Sequence, residues 1–255
     1  MKAIVCKTFG PPESLVLEDV APRPIGKGEV RIKVKAAGVN FPDTLIIQGK
    51  YQLKAEPPFT PGGEVAGEVI EAGEKVKHVR PGDAVAALQL GKLMGARVIA
   101  AAGSDDKLAF CKSQGADEVV NYAKDSLKEA VKKLTKGQGA DVIYDPVGGE
   151  LTQDCFSCIN WNGRHLVVGF AAGKIPDLAL NRLLLKGASA VGVFWGAFVA
   201  REPKLNWENF QQLFAWYGEG KLKPHVSKAY PLAQAGAALR DMLERRVTGK
   251  VVLVP

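Results

Sequence analysis

The chain has 255 residues, 47% of them hydrophobic and 24% charged, a balance that excludes a disordered chain and leaves room for one large or two modest hydrophobic cores. Its formal net charge is +7, but the Lys and Arg residues are spread along the sequence, which argues against nucleic acid as a partner. No apolar run approaches the roughly 18 residues that cross a bilayer, so no membrane insertion is expected.

In chain order, residues 3–6, 15–17, 30–34 and 64–72 alternate apolar and polar positions between Pro and Gly breaks. They predict a compact antiparallel β unit over residues 1–85, ending at Gly82-Asp83-Ala84-Val85. The rhythm then changes. Residues 86–93 read as a helix, 97–102 as a strand, 105–114 as a helix, 118–120 as a strand and 126–134 as a helix. A strand at 141–144, a helix at 150–159 and strands at 165–169 and 188–193 continue the series. Such alternation implies right-handed βαβ units and a parallel sheet over residues 86–196. Residues 197–255 return to mixed structure, with helices near 207–217 and 233–245 and a closing strand at 250–254.

Ala36-Ala37-Gly38-Val39-Asn40-Phe41-Pro42-Asp43 and Pro61-Gly62-Gly63-Glu64-Val65-Ala66-Gly67, with this order of elements, resemble the medium-chain dehydrogenase/reductases. The likeness covers essentially the whole chain and is strongest to the quinone oxidoreductase branch. It implies an α/β protein with a GroES-like β-rich catalytic domain and a Rossmann-type nucleotide-binding domain. In such a fold a strand and a G-x-G-x-x-G loop precede the first helix and grip the coenzyme pyrophosphate. Here Val85 passes directly to Ala86, so the first strand and the glycine loop are missing.

Zinc-dependent members of the superfamily carry a cysteine at the position of Asn40 and a histidine at that of Gly63. Neither residue here can ligate zinc, and no other three- or four-ligand set is apparent, so no metal is expected. Cys155 and Cys158 have ligand-like spacing but lie in a predicted helix, where packing explains them. Four scattered cysteines do not make a disulfide framework. With Met1-Lys2-Ala3-Ile4-Val5 entering a strand directly, they suggest a cytoplasmic protein, or one of the mitochondrial matrix if an upstream targeting segment is missing.

Without zinc, the resemblance implies hydride transfer from NADPH to a quinone or another α,β-unsaturated carbonyl, by positioning and hydrogen bonding. It places Asn40 and Asp43 at the catalytic centre, although the same residues also suit a turn and a helix start. The strand at 97–102 ends in Gly103-Ser104, with Lys107 one turn into the helix and no acidic residue at its tip. That favours NADPH over NADH. The resemblance gives Ser104, Lys107 and Tyr122 the 2'-phosphate, with helix capping as the alternative for Ser104. Val147, Gly169, Phe170, Phe194 and Trp195 would lie along the coenzyme, and Lys250 would reach its phosphate. A homodimer through the strand edge near 188–193 is also implied.

Loss of a central strand leaves two outcomes: the sheet closes the gap by pairing its remaining strands, or the domain is only partly folded. Either way coenzyme binding should be weakened. The competing reading is a non-catalytic shortened form acting as an RNA-binding or interaction protein.

Overall fold

Strands form where the alternating pattern finds a partner and a core, and here they do so in two separate sets. The computed structural model describes residues 1–26, 29–52, 55–72 and 86–255, so the strand end expected at Gly82-Asp83-Ala84-Val85 lies outside the described residues. The elements run β1 (Lys2–Val5), β2 (Val16–Asp19), β3 (Val30–Val39), α1 (Phe41–Ile46) and β4 (Val65–Ala72). They continue with α2 (Ala86–Leu93), β5 (Ile99–Ala102), α3 (Asp105–Ser113), β6 (Glu118–Asn121), α4 (Leu127–Leu134), β7 (Ala140–Asp145) and α5 (Leu151–Cys158). Next come β8 (Ile159–Val167), α6 (Asn181–Leu184), β9 (Ser189–Gly192), α7 (Trp195–Arg201) and α8 (Pro203–Gly218). Last are β10 (Val226–Pro231), α9 (Ala235–Leu243) and β11 (Lys250–Val254). None of these helices is long and apolar enough to cross a membrane.

The chain divides into one unit of Met1–Val85 with Pro224–Pro255 and a second of Ala86–Lys223. Residues 197–223, read from sequence as the start of the return, therefore group with the second unit. At the end of that segment Gln89 of α2 accepts from the Lys223 amide at 2.9 Å and donates to its carbonyl at 3.1 Å. The long helix α8 also starts at Pro203, four residues before the expected 207, because proline suits the first helical position.

In the first unit β1 and β2 pair antiparallel, and a four-stranded sheet runs β10-β11-β3-β4. All its pairs are antiparallel except β10 with β11. Cys6, Val39, Ile47, Tyr230, Ala238, Leu239 and Val251 form its core, with α9 supplying its apolar face. Each fully buried aliphatic or aromatic side chain contributes about 1.5–3 kcal/mol, which ties the C-terminal strands to the N-terminal ones.

The second unit is built of βαβ steps, and every strand pair in it is parallel. Val120, Leu127, Val131, Cys155 and Cys158 make its core, with Ile99 of β5 and Ile143 of β7 packed against them. Two sheets result, β5-β6 and β7-β8-β9. In the doubly wound order 3-2-1-4-5-6, strand 1 sits between strands 2 and 4. The break between β5 and β7 falls at that place. The remaining strands do not close the gap by pairing with each other: among the described residues β5 pairs with β6 and β7 with β8. Val142 and Tyr144 of the resulting edge strand are 46% and 48% exposed. The surviving helix α2 is held by polar ties instead, Lys92 to Asp117 at 2.7 Å and Gln89 to Gln114 at 2.7 Å.

Candidate active site

Three strands of the first unit converge on one cluster. Val252 lies opposite Gly38, and Ala37 opposite Val65, so Asn40 after β3, Glu64 before β4 and Lys250 at the start of β11 come to one end of the sheet. The Lys250 ammonium donates to Asn40 Oδ1 at 2.9 Å and to Glu64 Oε2 at 2.8 Å, and Asn40 Nδ2 donates to the same Glu64 oxygen at 3.0 Å. Lys250 is only 5% exposed. Gly38 makes the room: a Cβ there would lie 2.3 Å from Glu64 Oε1 and 2.8 Å from Lys250 Cε.

Asp43, expected beside Asn40 at the catalytic centre, is buried with its Oδ2 accepting from the Asn40 amide at 2.8 Å. That bond fixes the entry into α1. Burial raises the Asp43 carboxyl above its ordinary value, against the opposing pull of the Asn40 amide and the Lys250 charge. Glu64 was not singled out by sequence reasoning, although it stands within the quoted Pro61–Gly67 motif. Its partners are 24 and 186 residues away, and only strand pairing reveals them.

In the second unit the expected coenzyme residues fall into two groups, one on each half-sheet. At the carboxyl ends of β5 and β6, Tyr122 lies over the Gly103 backbone, where a Cβ would be 3.1 Å from its ring. Ser104 occupies the N-cap position of α3 in an extended conformation, its carbonyl accepting from Leu108 N at 3.2 Å, without a side-chain cap bond. Asp105, whose charge would oppose a phosphate, accepts from Asn121 Nδ2 at 2.6 Å and pairs with Lys124. Those two donors, Lys124 first, hold its carboxyl below the usual range.

At the carboxyl ends of β7 and β8 the two loops are stitched together. Asp145 O accepts from the Val168 and Gly169 amides, and Val147 O accepts from Ala172 N at 2.8 Å. Gly148, at φ 66°, brings its backbone against Phe170, where a Cβ would be 2.8 Å from the ring. Val147, Gly169 and Phe170 thus stand together. Phe194 and Trp195 follow β9 and are 60% and 59% exposed. These are strand ends where open parallel sheets bind ligands. No G-x-G-x-x-G loop occurs in the sequence.

Beneath these loops lies a buried polar group that the sequence did not suggest. Asp145 Oδ1 accepts from the Val147 and Gly148 amides, both at 2.9 Å; Oδ2 accepts from Thr152 Oγ1 at 3.1 Å and lies 3.3 Å from His165 Nε2. Burial pushes this carboxyl up, but the bonds from His165, Gly148 and Val147 outweigh it and hold it at about 2. His165 is 1% exposed and stacks on Phe156 at 4.6 Å between ring centroids. Asp145, Cys155 and His165 place potential metal-binding atoms within 4.8 Å of one another. Both carboxylate oxygens of Asp145 accept hydrogen bonds, and burial followed by the Asp145 charge pushes the Cys155 thiol up to about 12.

The alcohol dehydrogenase GroES-like domain family matches residues 26–117, and the zinc-binding dehydrogenase family matches residues 84–217. The quinone oxidoreductase-like protein 2 homolog of Nematostella vectensis is 33% identical over 99% of this chain and 88% of its own. The Rattus norvegicus quinone oxidoreductase-like protein 2 is 32% identical over 99% and 91%. The Nematostella alignment runs over 325 positions against 255 residues here, so at least 70 of them have no counterpart in this chain. Among solved structures, a probable oxidoreductase from Mycobacterium abscessus is 31% identical with a TM-score of 0.86, covering 100% of this chain and 99% of its own. The Escherichia coli quinone oxidoreductase complexed with NADPH, 23% identical and covering both chains fully, shares the fold at a TM-score of 0.86.

Proposed function

This chain belongs to the quinone oxidoreductase-like medium-chain dehydrogenase/reductases, and on that premise we propose that it is an NADPH-dependent, zinc-independent reductase of quinones or other α,β-unsaturated carbonyls whose hold on the coenzyme is weakened. The observation that carries the reading is the break between β5 and β7. Coenzyme-end residues remain on both half-sheets, while the strand and loop between them are gone. In this reading the first unit is the GroES-like substrate domain and the second the nucleotide domain.

Bound NADPH would supply the hydride. The Asn40 amide would hold the carbonyl oxygen of the acceptor as negative charge gathers there, a role a hydrogen-bond donor fills without metal. Water can supply the proton that completes reduction, so no buried acid is required of Asp43. Asn40 and Gly63 in place of a cysteine and a histidine support a metal-independent reaction. Ser104, Lys107 and Tyr122 would select the 2'-phosphate, and the exposed strand β9 would supply the dimer edge.

The test is NADPH oxidation at millimolar coenzyme with a soluble quinone, with and without a zinc chelator. Slow turnover unaffected by the chelator is expected, and chelator-sensitive turnover would contradict the zinc-independent reading. Lys107→Ala should raise the NADPH concentration needed about tenfold, the loss of one charge-assisted phosphate bond, and leave the NADH requirement unchanged. An equal effect on both coenzymes would remove the 2'-phosphate assignment.

A further inference from the structure

We propose that Glu64 and Lys250 are positioning residues that lock the Asn40 side-chain amide in a single orientation, so that Lys250 serves Asn40 rather than the coenzyme phosphate. The proposal rests on the reading of Asn40 as the group beside the substrate oxygen. It starts from donor and acceptor inventory: an ammonium only donates, a carboxylate only accepts, and a primary amide does each at a different end. Lys250 Nζ faces Asn40 Oδ1 at 2.9 Å, and Glu64 Oε2 faces Asn40 Nδ2 at 3.0 Å. A half-turn of the amide would set NH2 against the ammonium and oxygen against the carboxylate, turning both attractions into repulsions. The Lys250–Glu64 contact at 2.8 Å closes the triangle and fixes its two charged corners to each other.

Strand pairing makes the lock rigid. Gly38 N donates to Glu64 O at 3.0 Å, Val252 lies opposite Gly38, and residues two apart on a strand share a face. Gly38 is the residue whose missing side chain leaves the space that Glu64 and Lys250 fill. With one Nδ2 hydrogen committed to Glu64, the other is the donor left to the amide, and its direction is set by the sheet. A catalytic amide that need not choose its orientation when substrate arrives is already arranged for the charge that develops in the transition state.

The experiment uses the full 15N-labelled chain, with the Asn40 side-chain signals assigned by their disappearance in Asn40→Ala. In the native protein these two signals should be well separated and slow to exchange with water. Lys250→Met should shift them toward those of a free asparagine and speed exchange at least tenfold, while Lys250→Arg should retain them. If Lys250→Met does not fold, Glu64→Gln supplies the same comparison at constant volume. In quinone reduction, Lys250→Met should lower kcat about tenfold with the KM for NADPH unchanged. Native-like Asn40 signals in both Lys250→Met and Glu64→Gln would overturn the proposal, as would a raised KM for NADPH with kcat retained. Unchanged turnover in Asn40→Ala would instead remove the role given to Asn40, and the exchange rates would still decide whether the lock exists.

Discussion

Replacing Asp145 with alanine is expected to unfold the second unit or leave it barely folded. The substitution removes the acceptor for two backbone amides, a buried threonine hydroxyl and a buried histidine at once. Each donor left buried without a partner costs about 1–3 kcal/mol. Loss of even two or three of them consumes much of the roughly 5–15 kcal/mol that holds a domain together. Urea unfolding followed by a probe in the second unit should show its midpoint fall by about 1 M or more. A midpoint within error of the native one would mean that Asp145 is not the keystone of these loops.

The same carboxylate gives the second unit an acid dependence. Its folded value of about 2 lies below the roughly 3.9 of an unfolded aspartate, so its stabilisation is full above about pH 4 and is lost as pH falls toward 2. The shift corresponds to about 2–3 kcal/mol, and Asp145→Asn, which keeps the side-chain volume and one acceptor oxygen but does not titrate, should flatten that part of the stability curve.

Gly38→Ala should strongly destabilise the first unit. The new Cβ would lie 2.3 Å from a Glu64 oxygen and 2.8 Å from Lys250 Cε, closer than any real contact. Overpacking of this kind costs about 1–3 kcal/mol, and driving Glu64 away from a buried ammonium adds to it. Gly63→Ala is the matched control, because nothing lies within 4 Å of a Cβ there. Thermal melts should place Gly38→Ala about 5 °C or more below the native protein and Gly63→Ala within about 1–2 °C of it. Equal midpoints for the two variants would show that the Glu64–Lys250 pair does not depend on the space beside Gly38.

Most of this fold is legible as local pattern. The βαβ rhythm after residue 95 needs only alternation of strand and helix periods, and each expected strand there has a counterpart in β5 to β9. Strand β10 escaped notice because Val226-Ser227-Lys228-Ala229-Tyr230-Pro231 leaves one residue, Tyr230, buried; its partner β11 recruits it across the chain. Helix α1 was visible only as a helix start, since six residues give less than two turns of periodicity. The candidate site was half legible. Asn40 and Lys250 stand in recognisable motifs, but their mutual contact spans 210 residues, and Glu64 joins them through strand register. The Asp145 network was hidden for the same reason: Asp145 follows the expected strand at 141–144 and His165 opens the one at 165–169, and nothing links them until β7 and β8 are laid side by side.

The absence of the central strand was legible at once, yet its consequence was not. Among the described residues both half-sheets share a common core and β5 and β7 are each paired on one side only, so a folded protein with a poor hold on its coenzyme is expected. The direct test is the thermal midpoint of the second unit measured against NADPH concentration, since a ligand that binds the folded state raises it in proportion to RT ln(1 + [L]/Kd). A cooperative melt that does not move at about 10 μM NADPH and rises only near millimolar is the expected result. A rise of several degrees at about 10 μM would contradict the account, because it would require a complete pyrophosphate grip in a chain without the glycine loop.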